Sequence, residues 1–306
     1  MKKLLTPLLV ISLCSFTFPG KEIQFQYIFK KGDTYEMTQT ATTHQHIVVA
    51  GMDQTIEMVI KGGMKIKTIE LTGTSAKFEI EYTALSLKMK TAQGEMDSDG
   101  DTTNQANKMM GKAIRLMIGK KFNFTLTKNG TVESVDNLEN LWSAFTGSDA
   151  GMTQMKSSLE LSFGKNSVKR SLENVFVYYP DNKIQVGAVW KSTSSAGMNM
   201  PLQIANDWSL QSVTGPTSVI ISDGQISTTD STKVINPQPG LRATTNLKGR
   251  QVVKSVVSTT HGWPESAKSY SEIKGQMILL AGGQIPEDMP MQMEIKADTE
   301  YTLTKK

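Results

Sequence analysis

Apolar and polar residues alternate along most of this chain, and a period of two marks strands with one buried face. In residues 22–29, Ile23, Phe25, Tyr27 and Phe29 share one side while Gln24 and Gln26 share the other. A turn at Gly32-Asp33 leads into a long alternating run from Thr34 to Val49. A second turn at Ala50–Asp53 opens residues 54–71, where Gly62-Gly63 predicts a bulge or bend. Further on, Phe78, Ile80 and Tyr82 oppose Lys77, Glu79 and Glu81; the phase slips at Ala84-Leu85 and resumes with Leu87 and Met89. Runs this long predict a tall, twisted antiparallel sheet that curls.

Helical spacing interrupts the middle. Between Asn104 and Ile118, Ala106, Met109, Met110, Ala113, Leu116 and Met117 recur at intervals of three and four, which predicts an amphipathic helix. Asn129-Gly130 then reads as a hairpin turn between two alternating runs. Asp136 and Glu139 form a candidate capping box for a helix reaching Phe145. Two more helical patterns occupy Met152 to Val177, broken near Gly164. Strand-like alternation returns near Lys183 and continues to the C-terminus.

These elements predict a mainly β fold with inserted helices: a large curved antiparallel sheet, shaped as a half-barrel or clam, with three or four helices over one opening. Two short echoes, Gly32–Tyr35 with Gly187–Trp190 and Leu71–Ser75 with Val213–Thr217, suggest pseudo-repeated halves at about 21–150 and 180–306. The matching stretches are turns with unequal offsets, and two β-rich halves would resemble each other to this degree without duplication.

The opening residues set the compartment. Lys2 and Lys3 precede an apolar run from Leu4 to Cys14. Crossing a bilayer takes roughly 20 apolar residues, so the run reads as a signal peptide rather than an anchor. Residues 1–20 are taken as the leader and 21–306 as a single exported β-rich domain, placed in the periplasm or at the cell exterior. Cys14 is the only cysteine, and lipid anchoring through it is the second reading. Leu13 weakens that reading, because a small residue usually precedes a lipidated cysteine. Cleavage after Cys14 would leave no thiol, which excludes disulfides and cysteine-ligated zinc. Loss of Lys2 and Lys3 lowers the formal charge from +4 to +2, with 31 basic side chains against 29 acidic ones. That near balance, without a basic cluster, argues against nucleic acid as a partner.

Four stretches carry a resemblance: Phe29–Thr40 (FKKGDTYEMTQT), Asn129–Asn137 (NGTVESVDN), Val186–Ser192 (VGAVWKS) and Met289–Thr304 (MPMQMEIKADTEYTLT). Together they resemble a domain-of-unknown-function family of exported Bacteroidota proteins. The resemblance implies export and a curved β architecture with helices, and supplies no site residues. At the level of architecture alone, the layout is similar to bacterial lipoprotein carriers, where a half-open barrel holds acyl chains beneath helices.

Candidate chemistry is sparse. His44 and His46 share one strand face, yet two ligands are too few for a closed zinc site, and sheet-face histidines are the simpler reading. Asp97–Asp101 begins like a calcium loop, but Thr102 and Lys108 stand where an EF-hand needs Gly and Glu. An acidic turn before a helix is favoured over an irregular calcium site. Met198, Met200, Met289, Met291 and Met293 could offer soft ligands to Cu(I), although alternation along a strand produces the same spacing. Gly147–Gly151 and Gly164–Lys169 miss the spacing of a nucleophile elbow and a phosphate loop.

The sequence therefore favours a non-catalytic protein, without cofactor, that binds an apolar or amphiphilic ligand such as a lipid. The expected lining comprises Met109, Met110, Ala113, Leu116 and Met117 on the helix, Phe78, Ile80 and Tyr82 on one strand, and Met291 and Met293 on another. The alternatives are a structural protein with an envelope protein partner, a Cu(I)-binding Met-rich protein, and a glycan or ester hydrolase. An interior filled by the protein itself is the plain competitor to a ligand cavity.

Overall fold

Hairpins between sequence neighbours build nearly all of the sheet. The computed structural model describes residues 22–306 except 146–150, 152, 154, 155, 158, 161, 162, 197–199, 239, 283 and 284. The leader, Cys14, Met198 and most of the Gly147–Gly151 motif lie outside the described residues.

The first group of strands is β1 (Thr34–Val49), β2 (Met52–Thr72), β3 (Ser75–Thr91), β4 (Gly94–Asp97), β5 (Lys121–Thr127) and β6 (Val132–Asp136). The second is β7 (Val189–Ala196), β8 (Leu202–Thr214), β9 (Thr217–Thr228), β10 (Ile235–Gln238), β11 (Leu241–Ser258), β12 (Pro264–Leu279) and β13 (Met289–Lys305). Among the described residues they form one antiparallel sheet ordered β6-β5-β3-β2-β1-β13-β12-β11-β9-β8-β7, with β4 on β3 and β10 on β11. Each neighbouring pair on that path is consecutive in the chain or skips one short strand, except β1 with β13. Their register runs from Tyr35↔Lys305 to Val49↔Met291 and sews the two groups into one surface.

The sheet stays open between β6 and β7. Helix α2 (Lys165–Val175) packs against both of these edge strands and spans the gap. Helix α1 (Gln105–Met117) packs on β3 and β4. Its start is as the spacing predicts: Asn104 caps it, accepting a hydrogen bond from Ala106 N at 2.9 Å. A large curved antiparallel sheet with few helices is thus the observed architecture, and it agrees with the sequence-based expectation of fold class.

Several local features follow from composition. The pairing of β2 with β3 shifts between Gly63↔Ala84 and Met64↔Tyr82, leaving Thr83 as the extra residue of a bulge. That bulge is the physical cause of the phase slip at Ala84-Leu85. The capping box at Asp136 and Glu139 does not form. Asp136 ends β6 and accepts from Ser134 Oγ at 2.8 Å, Asn137 turns left-handed at φ 60°, and only a 3-10 turn (Leu138–Trp142) follows.

Residues 22–30 also depart from expectation. Their alternation is real, with Phe25 and Tyr27 buried, but apart from an isolated bridge between Ile23 and Ile184 they join no strand. Tyr27 N donates to Lys128 O at 2.8 Å, and Ile28 N donates to His261 O at 3.0 Å. Together with residues 176–179, this segment plugs one end of the curled sheet with aromatic rings. Trp263 stacks on Tyr35 at 4.1 Å and meets Tyr27, Phe78 and Phe176 edge-on at 5.5–5.8 Å. The Tyr27 hydroxyl accepts from Val177 N at 2.9 Å and donates to Val177 O at 3.2 Å. Tyr179 Oη donates to Gly262 O at 2.7 Å, and burial pushes the pKa of both phenols well up.

Gly262 sits at φ 70°, where a Cβ would overlap the Gln26 carbonyl. Trp263→Ala is expected to cost about 3–5 kcal/mol through the cavity it leaves. Gly262→Ala is expected to cost roughly 3 kcal/mol through backbone strain and overlap. Urea unfolding followed by circular dichroism checks both, and unchanged midpoints would show that the plug contributes little.

Candidate functional site on the concave face

Register and burial together define which side chains look inward, and these fall into three zones. Near the plug, β1 presents Tyr35 and Met37, β13 presents Tyr301 and Leu303, and β11 presents Val253 and Val257, all buried. The middle zone is small or polar. A single line of paired residues, Thr43, Ala297, Ser271, Gln251, Gly224, Asn206 and Ser192, crosses the sheet from β1 to β7. Beyond it the face is apolar again. Leu202, Ile204, Ile226, Ala243, Leu247, Met277 and Met293 form a second core cluster, separate from the first.

Polar side chains that face inward need partners, because burying them unpaired costs free energy. The middle zone supplies them across strands. Asn206 Oδ1 accepts from Ser222 Oγ at 2.9 Å, and Asn206 Nδ2 donates to Ser194 Oγ at 3.3 Å. Trp208 Nε1 donates to Ser192 Oγ at 2.8 Å, and Gln251 Nε2 donates to Ser269 Oγ at 3.1 Å.

Between this belt and α2 lies a cavity of about 200 Å³. Glu173, Asn174, Phe176 and Tyr178 line one wall; Ser192, Ser194, Asn206, Trp208, Ser222, Gln251 and Val253 line the other. Among the described residues Glu173 is the only carboxylate in this lining. Its Oε2 is buried without a hydrogen-bond partner among the described residues, and Oε1 is 3.9 Å from Lys169 Nζ. Burial pushes the Glu173 pKa up, against the opposing pull of Lys169 and Arg170.

The residues singled out from sequence lie in different zones. Phe78 and Ile80 have no exposed surface, and Phe78 stacks on Phe124 at 4.9 Å, so protein already surrounds them. Tyr82, Met110, Ala113 and Met117 belong to the same first cluster, whereas Met109 and Leu116 are half-buried. Met293 sits in the second cluster, with Met291 and Met200 packed against it. The structure therefore does not gather the expected lining into one pocket. Met289, Met291 and Met293 alternate along the inward face of β13, and Met277 of β12 pairs with Met291. Ile114, which is buried on α1, and Glu173 were both missed. Glu173 belongs to a helical pattern that reads as polar from sequence, and only folding places its carboxyl over the belt.

His44 and His46 occupy the convex face, next to Glu57 at 4.0 Å and Asp53 at 2.9 Å. Asp97 Oδ1 accepts from Asp99 N at 2.9 Å, and Asp101 accepts from Thr103 N and Oγ1, which lowers the Asp101 pKa. The acidic turn is thus organised by its own backbone. Among the described residues no three His, Cys, Asp or Glu side chains converge as a metal site. The convex face carries ion pairs, across strands in Lys274–Glu294 at 3.3 Å and bidentate Arg250–Asp223, and along β13 in Lys296–Glu294 at 2.7 Å. Lipid-facing strands present an apolar outer band instead. No helix among the described residues is long and apolar enough to cross a membrane.

A family of unknown function (DUF6263) matches residues 73–264. The chain belongs to this family. The sequence-based expectation of a domain-of-unknown-function family is thereby met, and no curated protein matches this DUF6263 member. Its backbone is similar to lipovitellin, in a structure described by lipid–protein interactions, with TM-score 0.50 and 11% identity. The match covers 90% of this chain and 25% of that one, so the DUF6263 protein spans about a quarter of lipovitellin's length. At this identity the likeness concerns the fold alone. Similarity to the Pseudomonas aeruginosa protein OccK7 (OpdD) has TM-score 0.20 and 6% identity, covering 90% of this chain and 100% of that one. An outer membrane channel from Pseudomonas putida F1 gives 0.19 and 6%, covering 91% and 97%. Neither likeness carries an argument.

The Glu173 pKa is raised in the folded state, so its effect on stability is most favourable below the unfolded carboxyl value of about 4.3 and fades as pH climbs through the raised one. Glu173→Gln removes that dependence. At pH 7 the variant is expected to unfold at a higher urea concentration than the native protein, with the gap narrowing towards pH 4. A variant that is less stable at pH 7 would mean that the Lys169 ion pair outweighs burial.

Proposed function

We propose that this DUF6263 protein is an exported, non-catalytic binder of an apolar or amphiphilic ligand, lipid-like in character, held against the concave face of the sheet. The observation that carries this reading is the far half of that face. Ile47, Val49, Ile56, Met291 and Ile295 point inward by register yet remain only half-buried among the described residues. An inward apolar surface is normally covered by helices or by a ligand. The described helices do not serve here: α1 packs on β3, β4 and the 3-10 turn, and α2 packs on the β6 and β7 edges.

The methionines support the same reading. Thioether side chains are unbranched and polarizable, and they adapt to ligands of varied shape. The lipovitellin-like course of the backbone agrees with a lipid-holding role, as does the signal-peptide pattern before residue 21 with work outside the cytoplasm. Catalysis has no constellation to rest on among the described residues. Glu173 is the only acid in the cavity lining, whereas glycoside hydrolysis commonly needs two facing carboxyls.

Mass spectrometry of lipid extracts from the purified native protein tests this directly. A long-chain species is expected at a stoichiometric level, and Ile56→Glu is expected to remove most of it. Thr40→Glu, placed on the convex face, is expected to leave it in place. Extracts free of lipid, together with no uptake of a long-chain fluorescent fatty acid, would contradict the reading.

A further inference from the structure

We infer that the far half of the concave face selects an uncharged lipid of the acylglycerol kind, whose ester and hydroxyl groups meet the carboxamides of Gln45 and Gln54. This rests on the reading of that face as a ligand surface and adds the chemistry of the ligand's polar part.

The first observation is a lining without charge. Alternate residues face inward from Tyr35 to Val49 on β1, Met52 to Met64 on β2, Ala267 to Leu279 on β12 and Met289 to Leu303 on β13. Charged side chains make up 20% of the whole chain, yet none occupies an inward position in these four stretches. Their acids and lysines all face the convex side, where Glu272, Lys274, Glu294 and Lys296 pair with one another. Glu173 is remote in the strand order, on α2 at the seam between β6 and β7, whereas β1 and β13 are central. An ionised head group on this face would give up hydration and find no counter-ion.

The second observation is a pair of polar groups set into the apolar stretch. Gln45 pairs with Ile56 on β2 and Ile295 on β13, and Gln54 pairs with Ile47. The two carboxamides are thus diagonal neighbours on adjacent strands, among half-buried isoleucines. Both glutamines are half-buried too, and among the described residues neither side chain has a hydrogen-bond partner. Their polar atoms are not sealed inside the protein. The buried side-chain atoms that lack partners belong instead to Thr68, Glu173, Ser218 and Thr245.

A carboxamide brings two donors and a carbonyl acceptor, all uncharged. Ester carbonyls accept from such donors, and a glycerol hydroxyl both donates and accepts. Strand geometry places the acyl chain. Beyond Gln45 the next inward residues towards the β1–β2 turn are Ile47 and Val49, about 7 Å apart along the strand. Ile295 and Met291 run beside them on β13. A chain that leaves the two amides therefore lies on side chains that are still partly open.

Isothermal titration calorimetry with monododecanoylglycerol, dodecanoate and dodecyltrimethylammonium, each below its aggregation concentration, tests the assignment at about pH 8, where the carboxylate is ionised. The glyceride is expected to bind native protein at least about tenfold more tightly than either ion. In a Gln45→Leu, Gln54→Leu double variant, shown folded by circular dichroism, glyceride affinity is expected to fall about tenfold. Pyrene, followed by its fluorescence, reads the apolar surface alone and is expected to bind both proteins alike. Either ion binding as tightly as the glyceride, or a glyceride affinity indifferent to the double substitution, would overturn the assignment. In both cases pyrene binding would leave the apolar face intact as a ligand surface. Binding of none of the four probes would instead overturn the proposed function itself, and this inference with it.

Discussion

The pairing of β1 with β13 is the constraint on which the rest of the molecule depends. Every other strand pair on the main path joins strands that are consecutive in the chain or separated by one short strand, but this one joins residues near opposite ends of the described chain, from Tyr35↔Lys305 to Val49↔Met291. Without it the two groups of strands would be separate curved sheets, each with two raw edges. With it, one surface curls far enough for α2 to touch β6 and β7 together. Non-local pairs of this kind bear the entropy of closing the whole chain, so they form late and need strong local support. The aromatic plug provides it: Tyr35, at the start of β1, stacks on Trp263, which precedes β12.

Curling divides the inner surface by chemistry. At the plugged end, rings and aliphatic chains fill the interior so completely that Tyr27, Phe78 and Tyr179 have no exposed surface. Across the middle, the line from Thr43 to Ser192 carries small and polar groups that satisfy one another in part. At the far end, isoleucines and methionines face inward without being fully covered. A uniformly apolar interior would collapse onto itself and a uniformly polar one would fill with water. The sequence of plug, belt and greasy half instead leaves the half-buried apolar stretch as the surface on which the proposed ligand would lie. The charged convex face keeps this curved sheet compatible with water on its outside.

Much of the fold was legible in the sequence because strands report their own burial through alternation. Thr34–Val49 emerges from the pattern with the same bounds as β1, and the slip at Ala84-Leu85 marks the β2–β3 bulge. The helix between Asn104 and Ile118 was equally plain from its spacing. Failures occurred where the partner decides the outcome. Residues 22–29 alternate like a strand, yet their backbone bonds go chiefly to loop carbonyls at Lys128 and His261. Asp136 and Glu139 have the spacing of a cap, but the strand claims Asp136 first. The cavity was invisible for the same reason: Glu173 and Asn206 are far apart in sequence and meet only once α2 crosses the open seam. The methionines were recognised as candidate lining, while Phe78 and Ile80 could not be told from core, since alternation gives facing without showing what fills the space.

A crystal structure of the native protein, purified without detergent or organic solvent, tests the central claim most directly. The account expects continuous elongated density along Ile47, Ile56, Met291 and Ile295. Side chains of the protein's own polypeptide packed across that surface, leaving no room for a bound molecule, would contradict it.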